Sequence, residues 1–143
     1  MKWYFACRTR HTEKLVAVTH LLESNGETVR SDWVFVGNLA PFEENLEKVQ
    51  EVMSHNTEAI LDTDVFVLIS DPEGTDMYTE LGVALGKRAA AKDSPRIYIV
   101  GEHSKRSPMQ LHPAIVRVET LAEVFKMEKL VLKESEIFSL LQF

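Results

Sequence analysis

An α/β fold with a central parallel sheet is what this sequence predicts, on three observations. Apolar runs without a helical period, at Trp3–Cys7, Val65–Ile69 and inside Arg96–Gly101, suit strands buried on both faces. Segments with apolar residues at helical spacing separate them. Turn residues punctuate the alternation at Asn25-Gly26, Gly74-Thr75 and Asp93-Ser94-Pro95.

Taken in order, Trp3–Cys7 predicts a first strand that ends in Arg8, Thr9, Arg10 and His11. Leu15, Val18, Leu21 and Leu22 recur as one helical face over Thr12–Ser24, and Asn25-Gly26 stops that helix. A weaker second strand is expected near Thr28–Ser31, with Asp32–Ala40 as a loop. Pro41 suits the first turn of a second helix, whose stripe of Leu46, Val49, Val52, Met53 and Ile60 runs to Leu61. Val65–Ile69 is the third strand, and a third helix follows with Leu81, Ala84 and Leu85 on one face. Ile97–Val100 forms the core of a fourth strand, Glu102–Leu111 a polar loop, and Ile115–Val118 a fifth, edge strand after His112-Pro113. Two helices, near Leu121–Met127 and Ser135–Leu141, close the chain.

Five strands joined by right-handed helical crossovers predict a single flavodoxin-like three-layer domain over residues 1–143, with strand order 2-1-3-4-5. A crevice then opens between strands 1 and 3, at their carboxyl ends. Two loops meet there, Arg8–His11 and Ser70–Tyr78, and bring Arg8, Arg10, Asp71 and Glu80 into one neighbourhood.

Composition narrows the partners. A net charge of −6 and a pI near 5.4 argue against a nucleic-acid backbone, which needs a basic face, and favour a small molecule or a protein. One cysteine, Cys7, leaves no internal disulfide and no multi-cysteine zinc site, and fits a reducing cytoplasm. The five histidines are scattered, so neither a metal nor a cofactor is expected. The short apolar start turns basic at once, and on that ground neither a secretory signal nor a membrane span is expected.

At the crevice, Glu80 stands near the amino end of its helix, where unpaired N–H groups favour an anion. An ionised carboxylate there can attack an electrophilic carbon such as the anomeric carbon of a sugar. First-turn acids also serve stability alone, and Gly74-Thr75 reads both as a helix entry, with Thr75 or Asp76 as cap, and as a substrate-binding turn that lets the chain approach its ligand. Cys7 beside Arg8 has two readings, a thiol activated by nearby cations and a small buried hydrophobe. Trp3, Trp33 and the phenylalanines read as core, with a second reading in which Trp33 or Phe35, in the loop after strand 2, lines a base-stacking wall.

Three stretches together carry a family resemblance: YFAC at Tyr4–Cys7, AILDTDVFVLISDPEGTDMYTELGVALGK at Ala59–Lys87, and HPAIVRVETLAEVF at His112–Phe125. The chain resembles the nucleoside 2-deoxyribosyltransferase-like family, which includes the 2'-deoxynucleoside 5'-monophosphate N-glycosidases. The resemblance implies cleavage or transfer at the N-glycosidic bond of a small-molecule substrate, a 2'-deoxynucleoside or its 5'-monophosphate, through a covalent glycosyl-enzyme formed when the helix glutamate, here Glu80, attacks C1'. By the same resemblance Tyr4 orients Glu80, Asp71 contacts or protonates the leaving base, and Arg10, with Arg8 beside it, meets a monophosphate. Asn56 stands where the family has an acid for the sugar hydroxyl, and Cys7-Arg8-Thr9-Arg10 replaces a small glycine-containing turn. Relatives complete their pockets across subunits, so the apolar tail of Ile137, Phe138, Leu140, Leu141 and Phe143 suggests a homodimer or larger homo-oligomer.

Two rivals share this architecture. A receiver-type signalling domain would use Asp71 as phosphoacceptor, but it needs acids after strand 1, where this chain has Arg8 and Arg10. A non-catalytic nucleotide sensor or interaction module would keep the crevice without turnover.

Overall fold

Side chains on a strand alternate between faces, so each buried run feeds two separate cores. The computed structural model describes residues 1–132 and 142–143. Its strands are β1 (Lys2–Ala6), β2 (Thr28–Val29), β3 (Val65–Ile69), β4 (Arg96–Val100) and β5 (Ile115–Val118). Helices α1 (Thr12–Ser24), α2 (Leu46–Leu61), α3 (Asp76–Ala91) and α4 (Leu121–Met127) connect and flank them. The sheet has five parallel strands in the expected order β2-β1-β3-β4-β5. Tyr4 of β1 pairs with Phe66 of β3, and Phe66 in turn with Ile97 of β4.

Trp3, Phe5, Val65, Val67 and Ile69 pack beneath α1 and α4, against Leu15, Val18, Leu22, Leu121 and Phe125. Tyr4, Ala6, Phe66, Leu68, Ile97 and Ile99 face the other way, onto Ala59 and Ile60 of α2 and Leu81 and Ala84 of α3. The residue parity of β1 therefore puts Tyr4 on the α2/α3 side, the same side as Glu80.

Three expectations need correction. The second strand is two residues long and does not reach Ser31. Beyond Arg30, whose N–H donates to the Trp3 carbonyl, the chain turns into a 3-10 segment over Asp32–Phe35. The Trp33 indole N–H then donates to the Phe5 carbonyl at 3.0 Å, the acceptor that a longer second strand would have taken. Pro41 lies outside the second helix. The Asn45 side chain donates to the carbonyls of Leu39 and Pro41, closing a separate turn, and α2 starts only at Leu46. The polar loop after β4 contains a 3-10 turn at Pro108–Leu111, stabilised by a reciprocal Ser107–Gln110 capping box. The helix expected at Ser135–Leu141 lies outside the described residues, as do Ile137, Phe138, Leu140 and Leu141 of the oligomer argument. Among the described residues, no helix is long and apolar enough to cross a membrane.

Candidate active site

A cavity of about 850 Å³ opens at the carboxyl edge of the sheet beside β1 and β3, the switch point of the strand order. Four parts of the chain build it. Cys7, Thr9 and Thr12 come from the end of β1 and the start of α1, and Asp76, Met77 and Glu80 from the first turns of α3. Val49, Val52, Met53 and Asn56 come from α2, and the outer wall comes from Trp33, Val34, residues 36–39 and Phe42.

Glu80 is the fifth residue of α3, one turn deeper than the sequence reading placed it; the first-turn acid is Asp76. The dipole argument for a stabilised anion therefore does not apply, since that effect falls off within one turn. The Tyr4 hydroxyl, fully buried under the sheet, donates to Glu80 Oε1 at 2.9 Å. Burial pushes the Glu80 carboxyl up to about 7; the Tyr4 hydrogen bond opposes this and the negative charge of Asp76 adds to it. Burial and the neighbouring Glu80 likewise push the Tyr4 phenol far up, so Tyr4 stays a neutral donor. The outcome is a carboxylate held by a hydroxyl instead of a cation, open to a cavity and divided between its two protonation states near neutrality.

Asn56 reaches the same cavity from α2. It is only 5% exposed, and its Oδ1 has no hydrogen-bond partner. The stripe that reads as core in the sequence divides here. Val49, Val52, Met53 and Asn56, at i, i+3, i+4 and i+7, face the cavity, whereas Ala59 and Ile60 enter the core. An amide on an apolar helical face was the signal available for this.

The other expected site residues lie beside the cavity and do not line it. Asp71 is fully buried, Oδ1 accepting from the Glu73 N–H at 2.9 Å and Oδ2 lying 2.5 Å from Arg10 Nη2 and 3.8 Å from His11 Nε2. Burial, then Arg10, lowers the His11 pKa, with Asp71 opposing, so His11 is neutral at neutral pH. Arg8 Nη1 donates to Glu73 at 3.2 Å. Gly74 has φ +97°, and a Cβ there would come within 2.9 Å of the Arg8 side chain, so this glycine answers both the turn and the close approach. Thr75 occupies the N-cap position of α3 without a capping hydrogen bond from its side chain. The two loops do meet as expected, but as ion pairs between them: Arg8 with Glu73 and Arg10 with Asp71. Asp71 thus stands against a guanidinium, not in the carboxylate cluster that a receiver site requires.

Of the two readings of Cys7, its packing against the core favours the small hydrophobe over the activated thiol. Burial, with Glu80 and Asp71 adding to it, pushes the Cys7 thiol up, and its Sγ contacts the Arg8 carbonyl at 3.1 Å. Trp33 lines the cavity; Phe35 does not and lies beside His20. Sequence reasoning missed Phe42, 62% exposed on the outer wall, and Asp76 as a cavity residue. Phe42 carried no periodic signal, and Asp76 was read only as a cap.

Fold and geometry together define an α/β domain with a carboxylate–phenol pair beneath a switch-point cavity. No protein-family profile matches the sequence, and no curated protein matches it. Among solved structures the fold is similar to that of the Clostridium botulinum CMP N-glycosidase BcmB, with a TM-score of 0.56 and 13% sequence identity. The match covers 90% of this chain and 97% of that one.

Proposed function

We propose that this protein is an enzyme that cleaves or transfers at the N-glycosidic bond of a nucleoside or nucleotide, the bond that the family resemblance implies for 2'-deoxynucleosides and their 5'-monophosphates, with Glu80 as nucleophile. The observation that carries this reading is the 2.9 Å hydrogen bond from Tyr4 to Glu80 Oε1 at the wall of the cavity. Tyr4 fixes one carboxylate oxygen and leaves Oε2 to attack C1'. As the C–O bond forms, the C1'–N bond breaks and its electron pair goes to the base, which takes up a proton. Water, or the nitrogen of a second base, then attacks C1' and displaces the Glu80 carboxylate, restoring the enzyme. Asn56 Oδ1 accepts from a sugar hydroxyl, and Trp33 and Phe42 flank the base. The name of the BcmB neighbour, a CMP N-glycosidase, points to the same class of bond. Asp71, held by Arg10, meets the leaving base only if that ion pair opens.

The test is incubation with deoxynucleosides, ribonucleosides and their 5'-monophosphates, with and without a second base, following free base by chromatography. Release dependent on a second base marks a transferase, and release into water alone marks a hydrolase. If no base is released from any of them while binding persists, the catalytic reading fails and the sensor reading replaces it.

A further inference from the structure

We propose that the cavity takes the uncharged glycoside and excludes its phosphorylated form, with Asp76 as the residue that sets this preference. The inference rests on the N-glycosidic reading of the cavity and narrows its substrate class.

The charge of the lining is the first argument. Asp76 and Glu80 both line the cavity, and none of its described lining residues is Lys, Arg or His. Four residues apart on α3, the two carboxylates stand on one helical face, one turn from each other. Of the cations near this edge, Arg8 is matched by Glu73 and Arg10 by Asp71, while Arg106, outside the lining, donates to the Pro72 carbonyl and lies over the Tyr78 ring. In the adjoining cavity beside α2, Lys48 faces Glu51 at 3.6 Å and His55 faces Asp32 at 2.9 Å.

The amino end of α3 is the second argument. A helix start ordinarily favours a phosphate through its free N–H groups and dipole. Here Asp76 brings its own negative charge into that first turn, at the rim where a phosphate would approach.

The neutral polar groups supply the third. Thr9, Thr12, Asn38 and Asn56 also line the cavity. Asn56 Oδ1 is a buried acceptor without a partner, so it calls for a donor. A sugar hydroxyl or a base N–H can donate to it and a phosphate dianion cannot, so this buried acceptor serves the glycoside and gives a phosphate no contact.

The experiment combines rates and binding. For wild-type protein, kcat/KM for base release is measured on each nucleoside and its 5'-monophosphate, and binding of the same pairs is measured calorimetrically on Glu80→Gln. The nucleoside is expected to be favoured at least tenfold in both. Adding Asp76→Asn, or Asp76→Ser as a second replacement at this exposed position, is expected to recover most of the lost monophosphate affinity, read as the ratio of monophosphate to nucleoside binding in the same variant. Equal or tighter binding of the monophosphate to Glu80→Gln overturns the inference and leaves the proposed reaction standing. An unchanged preference after both Asp76 replacements removes the role assigned to Asp76. Absence of base release from every substrate overturns the proposed reaction itself, and this inference with it.

Discussion

Asp71 and Glu80 lie nine residues apart at the carboxyl edge of one sheet, Asp71 buried and Glu80 partly buried, and their surroundings give them opposite characters. Asp71 is closed off from solvent, accepts a backbone N–H and lies 2.5 Å from the Arg10 guanidinium. Glu80 meets a neutral hydroxyl and an open cavity, and its carboxyl is raised to about 7. A carboxylate matched by a cation and backbone joins two loops. One that is desolvated without a cation stays reactive, because nothing in the protein completes its neutralisation. Proximity to the ligand edge therefore does not separate structural acids from chemical ones; the partner does.

The largest test of this contrast is Glu80→Gln, for which base release is expected to fall on the order of 10³-fold or more, while ligand binding persists. Base release retained within tenfold would end the nucleophile assignment.

Tyr4→Phe comes next, with a loss of roughly 10- to 100-fold, as for removal of one well-placed donor. Because the Tyr4 hydrogen bond holds the Glu80 pKa down, the same variant should move the midpoint of the pH–rate profile upward. In wild type the rate should rise with pH through about 7 as Glu80 ionises. A Tyr4→Phe profile that superimposes on wild type would show that the hydroxyl does not act on Glu80.

Stability sharpens the contrast from the other side. A carboxyl whose pKa is raised on folding binds more protons in the native state, so its contribution is full below the unfolded value and is lost as pH rises toward the folded one. Glu80→Gln and wild type should thus be equally stable near pH 4. By pH 8 the variant should be the more stable, by up to about 3 kcal/mol from the size of the shift. Chemical denaturation at the two pH values reads this directly, and a difference independent of pH would contradict it. Asp71→Ala should do the reverse and destabilise the protein by about 2–3 kcal/mol, through the orphaned Glu73 N–H and the unpaired Arg10.

The smallest effect is expected at Arg10→Ala, about 1–2 kcal/mol of stability after allowance for its exposed guanidinium. Any loss of turnover should be the same for nucleoside and monophosphate. A loss confined to the monophosphate would assign Arg10 to a phosphate, as the family resemblance implies, and would break the contrast between the two acids.

Local pattern was enough to read the sheet. The runs at Trp3–Cys7, Val65–Ile69 and Ile97–Val100 are apolar at every position, which only burial on both faces accommodates, and the helices between them force parallel pairing. The second strand was over-read because the Trp33 side chain, distant in sequence from Phe5, takes its carbonyl. Pro41 misled for a similar reason, since the Asn45 amide turns the chain before a helix can start.

Within the site, the sequence by itself determined that a carboxylate-bearing helix start would reach the ligand edge and that two loops would meet there. Parity along β1 and the helical face of α3 fixed which side chains point to that edge. Only the tertiary structure decided which carboxylate pairs with a cation, that the α2 stripe divides into cavity wall and core, and that Asp76 joins Glu80 in a lining without a described cation. Those outcomes depend on contacts far apart in sequence, such as Tyr4 with Glu80, 76 residues away, and Arg10 with Asp71. Local propensity and spacing carry no information about such distances until the chain is packed.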